Sequence, residues 1–450
     1  MQDIGINGLS FQINNQNFTA TIKKFDSKNE ILNIPRSINY SSSNYLITGI
    51  ESNSMKNDKM IKIVKFPENS ALLSIGDEAF SESAIESIDI PSSVNEIGEG
   101  CFSSCESLES VNFSESSQIT AFLNETFYFT SLVSITIPSG VEVISDSTFS
   151  HCFNLKSVKF YPNSKLKKID VDAFSNSGIE SIVIPANVQT IGKRCFYKCR
   201  ALESIKFSED SKLTKIGKKA FSFTSIERIK IPQKVEEIEK ETFYKCKELK
   251  TVIFTKKSKL KSIGSKAFYS SSLERISIPS GVRQICEHSF ALCNELNSIE
   301  FSIDSKLNII ETGAFYFTSF EYISIPPKVQ TIDQGAFSDS EIRFIEFCEN
   351  SLFNTFEKNT FSNSSIINIK IPSSVEHVKS ECFSGCSNLL AVEFFGKKII
   401  LDDSCFSDSK QLFMAAFPNS QQVQLESNVF AGVSSDFSLF ISAYVELIID

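Results

Sequence analysis

The sequence predicts a repeat solenoid, a protein built from one structural unit copied end to end. Between residues 91 and 372 an aliphatic residue followed by proline recurs seven times, and the prolines lie 47, 47, 47, 47, 47 and 46 residues apart. A fixed period of this length is typical of solenoids, whose units stack on one another. The seven positions are Pro91, Pro138, Pro185, Pro232, Pro279, Pro326 and Pro372.

A phenylalanine recurs twice within each 47-residue unit, so each unit is expected to contain two coils. The gaps between these phenylalanines alternate, mostly between 22 and 25 residues. We expect the rings to pile into a continuous spine, each buried ring contributing roughly 1.5 to 3 kcal/mol. The spine residues are Phe80, Phe102, Phe127, Phe149, Phe174, Phe196, Phe221, Phe243, Phe268, Phe290, Phe315, Phe337, Phe361, Phe383, Phe406 and Phe430.

A strand is predicted after each spine phenylalanine, because apolar residues alternate with polar ones there. Residues 85–91 and 108–113 illustrate the two kinds of coil. One such strand cannot bury its apolar face alone, so neighbouring coils are expected to pair their strands in parallel, about 4.8 Å apart. Proline closes the strand in alternate coils because it has no N–H for the ladder.

The repeat resembles a known family. Residues 85–108 follow the pattern I-x-x-I-x-I-P-x-x-V-x-x-I-x-x-x-x-F-x-x-C-x-x-L, which is similar to the Treponema pallidum-type leucine-rich repeat of BspA-like surface antigens. The resemblance covers residues 31 to about 430. It implies an α/β leucine-rich-repeat solenoid, a right-handed superhelix of about 17 coils with a parallel β-sheet on its concave face. It also implies a protein-binding role, as a surface antigen or adhesin.

Three segments are expected within one elongated array. Residues 1–30 resemble the β-hairpin that opens many BspA-like domains, and are expected to cap the array. Residues 31–394 form the regular repeats, with a coil one residue short at Ser340. Residues 395–450 are degenerate repeats that are expected to cap the other end.

Composition limits the function classes. The formal net charge is −9, which argues against a general nucleic-acid or anionic-membrane binder. No 20-residue apolar stretch exists, so membrane insertion is not expected. The first residues lack the pattern of a secretory signal, which favours a cytoplasmic location, whereas the family resemblance favours the cell surface or secretion.

The twelve cysteines are interpreted as structural free thiols. Six of them share one repeat position, three residues after a spine phenylalanine, where alternate coils carry Ser or Thr: Cys105, Cys152, Cys199, Cys246, Cys293 and Cys386. Cysteines two coils apart would lie about 10 Å from each other, beyond the roughly 7 Å limit for a disulfide. Metal binding or regulatory pairing is the alternative.

No catalytic function is predicted. The three histidines, His151, His288 and His377, lie in different coils, and the common nucleotide-binding, metalloprotease and serine-hydrolase motifs do not occur. The sequence therefore predicts a non-enzymatic protein without a cofactor or a metal site.

The candidate binding residues lie at outward positions of the strands. In I-x-x-I-x-I the third and fifth residues point away from the core, and these positions change from serine-rich to basic and then aromatic along the array. Cationic and aromatic side chains are typical of binding hot spots. The alternative is that exposed strand positions favour such residues through β-propensity alone. The predicted ligand-binding residues are Arg228, Lys230, Ile253, Arg275, Tyr322 and Phe344.

A second candidate surface is a basic ladder of lysines, each in the frame Ser-Lys-Leu. Its members are Lys165, Lys212, Lys259 and Lys306, which are 47 residues apart. Such a stripe suits sulfated glycans or acidic proteins, although lysines of this kind also solvate an edge. The expected partner is therefore a protein or an acidic glycan. An intracellular scaffold is the alternative to the adhesin.

Overall fold

The computed structural model describes residues 2–6, 8–25, 29–348, 350–442 and 445–449. The remaining positions, which include residues 26–28 of the predicted N-terminal cap, lie outside the described residues. The chain divides into two compact units, Met1–Ile226 and Glu227–Asp450, here called unit 1 and unit 2. Each unit is a β-solenoid, and together they contain about 18 coils.

Unit 1 begins with antiparallel strands. Gln2–Ile6, Leu9–Asn14 and Thr19–Phe25 form a three-stranded antiparallel arrangement, so the predicted N-terminal hairpin is present. Ser37–Tyr40 and Ser43–Ile50 form a second hairpin. Thr19–Phe25 then pairs in parallel with Ser43–Ile50, which starts the parallel stacking.

Each coil contributes an A strand, which from Ser87–Ile90 onward follows a spine phenylalanine. The A strands of unit 1 are Ile31–Asn33, Ile63–Lys65, Ser87–Ile90, Ser110–Phe113, Ser134–Ile137, Ser157–Phe160, Ser181–Ile184 and Ser204–Phe207. Those of unit 2 are Arg228–Ile231, Thr251–Phe254, Arg275–Ile278, Ser298–Phe301, Tyr322–Ile325, Phe344–Phe347, Asn368–Ile371, Ala391–Phe394, Met414–Phe417 and Ser438–Ile441. Within each sheet the A strands pair in parallel.

From Ile63–Lys65 onward a B strand follows each A strand and stacks in the same manner; it has two residues up to His377–Val378 and four in the last three coils. The B strands of unit 1 are Ser74–Ile75, Glu96–Ile97, Ala121–Phe122, Val143–Ile144, Lys168–Ile169, Thr190–Ile191 and Lys215–Ile216. Those of unit 2 are Glu237–Ile238, Ser262–Ile263, Gln284–Ile285, Ile309–Ile310, Thr331–Ile332, Thr355–Phe356, His377–Val378, Lys398–Leu401, Gln422–Leu425 and Glu446–Ile449. The degenerate C-terminal repeats therefore keep the coil pattern.

The phenylalanine spine lies in the core of each unit. In unit 1 the rings of Phe174 and Phe196 are 5.3 Å apart and nearly parallel, with an interplanar angle of 3°. In unit 2 Phe383 and Phe406 stack at 5.1 Å and 1°. Rings of adjacent coils thus contact one another face to face, a favourable arrangement when the rings are offset. The predicted spine is confirmed.

The α/β expectation is wrong for the described residues, which contain no helix. The segment around each spine phenylalanine is a series of turns with left-handed residues two positions before and after the ring, such as Asp172 (φ 52°) and Asn176 (φ 56°) around Phe174. A helix requires consecutive right-handed residues. The turn backbone instead bonds to the next coil, as when the N–H of Phe174 donates to the carbonyl of Cys195 at 2.8 Å. The described residues contain no helix that is long and apolar enough to cross a membrane.

Candidate binding surface

The predicted binding residues lie at outward positions of their strands. In Arg228–Ile231 exposed and buried residues alternate, so Arg228 and Lys230 point to solvent. Arg275–Ile278 shows the same alternation, with Arg275 exposed. The alternation arises because successive strand residues point to opposite faces. This outward face is called the A-strand face below.

Four of the predicted residues lie together in one sheet of unit 2. Arg228 lies opposite Thr251 and Lys230 lies opposite Ile253, in a parallel pair of strands. Thr251 in turn lies opposite Arg275. The two arginines are therefore two strand spacings apart, about 10 Å. No ion pair involves Arg228, Lys230 or Arg275 within the described part of the chain.

The two aromatic residues form a separate group. Tyr322 lies directly opposite Phe344 in a two-stranded sheet, and their exposed fractions are 53% and 49%. The Tyr322 hydroxyl donates to the Glu346 carboxylate, and this hydrogen bond raises the pKa of Tyr322. The structure therefore divides the predicted six-residue patch between two hydrogen-bonded sheets, one basic and one aromatic.

The lysines of the predicted basic ladder are all exposed. In unit 1 Lys165 and Lys212 line one shallow depression, together with Asn187. Lys212 Nζ donates to Asn187 Oδ1 at 2.8 Å. The neighbouring Lys167 pairs instead with Glu142 at 2.7 Å, and that hydrogen bond lowers the pKa of the carboxyl. The ladder positions therefore present their positive charges on the surface.

The thiols are structural, as the repeat pattern predicts. None of the twelve cysteines forms a disulfide, and the six at the shared position are buried. Cys199 Sγ donates to the Phe174 carbonyl of an adjacent coil at 2.9 Å and lies 3.4 Å from the Ser177 hydroxyl. Burial raises the pKa of the Cys199 thiol to about 12. A protonated, enclosed thiol is a poor nucleophile and a poor metal ligand.

The three histidines belong to different coils and have different surroundings. His151 contacts the rings of Tyr128 and Phe153 in unit 1, whereas His377 hydrogen-bonds Asp402 in unit 2. Across the described residues, no group of three or more His, Cys, Asp or Glu side chains could hold a metal ion.

Sequence reasoning missed an open slot on the A-strand face of unit 1. Ser157–Phe160 and Ser181–Ile184 are neighbouring A strands, but their ladder contains only the Ser157/Ser181 pair. Ser181–Ile184 pairs with the following A strand over all four positions. A cavity of about 790 Å³ lies where the first two strands separate.

Loop length was the available signal for this slot. Seven residues, 161–167, connect Ser157–Phe160 to its B strand, whereas five residues, 138–142, do so in the preceding coil. The longer loop begins with Tyr161, at a position where the neighbouring long loops have Ser114 and Ser208. Because the two loop types alternate, their difference in length accounts for two of the three residues by which the phenylalanine gaps of 22 and 25 differ.

Comparison with protein families gives one clear match. The family model described as BspA type leucine rich repeat region, with six copies, matches residues 36–156, 120–250, 214–342 and 308–436. The matched segments together span most of the chain. No curated protein matches the sequence.

Solved structures share the fold. A leucine-rich repeat protein from Bacteroides ovatus is similar with a TM-score of 0.55 and 20% identity, over 98% of this chain and 100% of that one. A leucine-rich cell surface protein from Faecalibacterium prausnitzii has a TM-score of 0.43 and 22% identity, over 92% and 94% of the chains. The pneumococcal vaccine antigen PcpA has a TM-score of 0.43 and 18% identity, over 98% of both. The Bacteroides ovatus structure supports a leucine-rich-repeat solenoid.

Proposed function

The chain belongs to the BspA-type leucine-rich repeat family, and we propose that it is a non-catalytic surface protein that binds protein partners through the A-strand face of unit 2. The proposed role is that of an adhesin or antigen that contacts host proteins, matrix or other cells. The family resemblance supports the surface role. A stacked β-solenoid supports binding because it offers a large surface that is already folded before the partner arrives.

The observation that carries this proposal is the exposed basic group on one sheet. Arg228, Lys230 and Arg275 have no ion-pair partner among the described residues, and Ile253 lies opposite Lys230 on the strand between the two arginines. A partner can therefore neutralise these charges without first breaking an internal ion pair. Arginine is also enriched at interface hot spots. The same cations suit an acidic protein surface or an acidic glycan.

The aromatic pair is proposed as a second anchor on the same unit. Tyr322 and Phe344 lie opposite each other and expose about half of their side chains. Aromatic side chains bury a large area and lose little conformational entropy on binding. The hydrogen bond from Tyr322 to Glu346 holds one ring in place before binding.

Binding of purified extracellular matrix proteins to the immobilised full chain tests this proposal. The triple variant Arg228→Ser, Lys230→Ser, Arg275→Ser should bind at least about tenfold more weakly, which corresponds to roughly 1.4 kcal/mol. A matched variant, Lys65→Ser with Lys206→Ser, removes exposed outward lysines from A strands of unit 1 and should bind as the wild type does. Equal binding by all three proteins would exclude the proposed face. Variant Tyr322→Ser with Phe344→Ser separately measures the aromatic anchor.

An intracellular scaffold is the second candidate, and the twelve cysteines favour it because none of them forms a disulfide. Exported proteins commonly oxidise their cysteines, whereas cytosolic thiols stay reduced. Protease treatment of intact cells, followed by blotting for the native protein, separates the candidates. Cleavage of the protein on intact cells supports the surface role, and protection until lysis supports the scaffold.

A further inference from the structure

We propose that the slot on the A-strand face of unit 1 binds an acidic saccharide. This site is separate from the A-strand face of unit 2 and does not depend on the function proposed for it. Its volume of about 790 Å³ is within the range of roughly 300 to 1,000 Å³ that is usual for small-molecule sites. The slot is therefore large enough to take one or two sugar rings.

The walls of the slot are two A strands that separate after one shared pair. Lys159 and Val183 are the outward residues beyond the Ser157/Ser181 pair, one on each wall. Val183 exposes 59% of its side chain, a large fraction for an aliphatic residue. In a continuous ladder these outward residues would lie about 4.8 Å apart and leave no room for a ligand. The opening thus creates a cleft with one cationic and one apolar wall.

Tyr161 lies at the edge of the slot and its ring is held in place. It lines the cavity, and its hydroxyl donates to the Phe113 carbonyl at 2.9 Å, two coils away along the stack. This hydrogen bond holds the ring before any ligand arrives, which reduces the entropy lost on binding. Tyrosine combines a flat apolar ring with a polar tip. The C–H face of a sugar ring can pack against such a surface.

The polar groups around the slot match sugar hydroxyls. Asn163 and Asn187 both line the cavity, and an amide side chain can donate and accept hydrogen bonds at once. Asn187 already donates to the Ser164 carbonyl and accepts from Lys212, which leaves it one N–H and one lone pair for a ligand. Sugar hydroxyls have the same dual capacity. The hydroxyls of Ser157 and Ser181 lie at the closed end, where the two strands meet. These groups provide several hydrogen-bond partners over a short distance.

The charges select an anionic sugar. Lys159 and Lys212 line the slot, and Lys165 lies on an adjoining depression that shares Lys212 and Asn187. Asp210 is the one acidic residue that lines the slot. The local excess of positive charge attracts a carboxylate or sulfate group. Lys212 is already oriented by its hydrogen bond to Asn187 Oδ1.

An equivalent opening in unit 2 has different chemistry. It is lined by Glu346 and Glu393, with Lys370 as its cation, and it is smaller at about 410 Å³. The loop position equivalent to Tyr161 holds Cys348 there. Two carboxylates repel an anionic ligand. This second opening therefore provides an internal control for charge and shape.

Calorimetric titration of the full chain tests the proposal. The probes are oligosaccharides of two to six units, containing uronic acid, sialic acid, sulfate or only neutral sugars. We expect the acidic oligosaccharides to bind and the neutral ones to bind at least about tenfold more weakly. Variants Tyr161→Ser and Lys212→Gln should each weaken binding about tenfold, whereas Lys370→Gln, which also removes one charge, should not. Tyr161→Phe keeps the ring and should retain most of the affinity.

Three results would overturn the proposal. The first is the absence of binding by every acidic oligosaccharide. The second is equal binding by the wild type, Tyr161→Ser and Lys212→Gln. The third is equally tight binding of an acidic peptide of the same charge, which would indicate charge alone. Thermal unfolding of each variant shows whether it is folded, and the pair Tyr161→Phe and Tyr161→Ser separates loss of the ring from loss of the hydroxyl hydrogen bond.

Discussion

From coil to coil, the residue type stays constant at the interior spine position but changes at the outward strand positions. The spine position is phenylalanine in both units, from Phe80 to Phe430. The third position of the A strand changes from Ser87 to Arg228 and then to Phe344. A spine ring must fit the copies of itself in the two adjacent coils, whereas an outward side chain mainly contacts water. Function is therefore to be sought where outward residues depart from the repeat.

The slot in unit 1 shows that such a departure need not lie in a strand. Tyr161 lies in a loop, yet its hydroxyl reaches the Phe113 carbonyl two coils away. The core around it remains regular, and the neighbouring Phe174 is fully buried. A regular interior thus allows a single exposed residue to change the chemistry of a surface without altering the stack.

Removal of one spine ring is the largest effect that this comparison predicts. Phe196 is fully buried between Phe174 and Phe221, with ring centroids 5.3 and 5.5 Å away. Phe196→Ala should lower the free energy of unfolding by about 3–5 kcal/mol, because it removes apolar contacts and leaves a cavity. Urea unfolding followed by far-UV circular dichroism measures the loss.

The matched outward substitution in the same unit is Lys206→Ala. Lys206 is exposed on its A strand, and its replacement should change stability by no more than about 0.5 kcal/mol. Similar losses for Phe196→Ala and Lys206→Ala would contradict the distinction between interior and outward positions.

A smaller effect is expected at the buried thiols. Cys199→Ala removes the hydrogen bond to the Phe174 carbonyl and the contact with the Ser177 hydroxyl. The expected loss is about 1 kcal/mol, since the carbonyl keeps its backbone donor, the N–H of Ser177. Cys348→Ala, at a partly exposed thiol, should be close to neutral. Urea unfolding would contradict this expectation if Cys199→Ala were as stable as the wild type.

The sequence predicts the interior better than the surface. Two repeated positions, the spine phenylalanine and the Ser, Thr or Cys that follows it, recur because each side chain contacts the equivalent position of adjacent coils. Phe174, Phe196 and Cys199 are buried as expected. The turns around the spine were not predicted. Left-handed positions hold residues as different as Asn176 and Phe223, so residue type alone does not reveal them.

The candidate site was predicted only in part, for a related reason. Outward residues such as Arg228 and Tyr322 follow directly from strand alternation. Strand alternation does not predict that these residues are divided between two sheets. Whether consecutive strands stay hydrogen-bonded depends on how loops of different length orient them. The Ser157/Ser181 opening depends on the same three-dimensional property. A linear pattern does not contain that information.

The smallest predicted effect is a pH dependence that arises at a single outward turn position. His151 lies among the rings of Tyr128, Phe129 and Phe153. Burial lowers its pKa, the charge of Lys198 lowers it further, and Asp172 opposes the shift. The unfolded chain therefore takes up a proton near pH 6.5 before the folded protein does. The contribution of His151 to stability is present above that pH and is lost as the pH falls.

Variant His151→Asn should remove this contribution. The turn position is left-handed, with φ of 62°, and Asn176 occupies the equivalent position of the next coil, so asparagine fits the backbone. The difference in urea midpoint between wild type and variant should be constant from pH 7 to 8. Between pH 6.5 and 5 the wild type should lose stability relative to the variant. A pH-independent difference would show that the ring cluster does not affect the protonation of His151. In that case the outward turn positions, like most outward strand positions, would contribute little to stability.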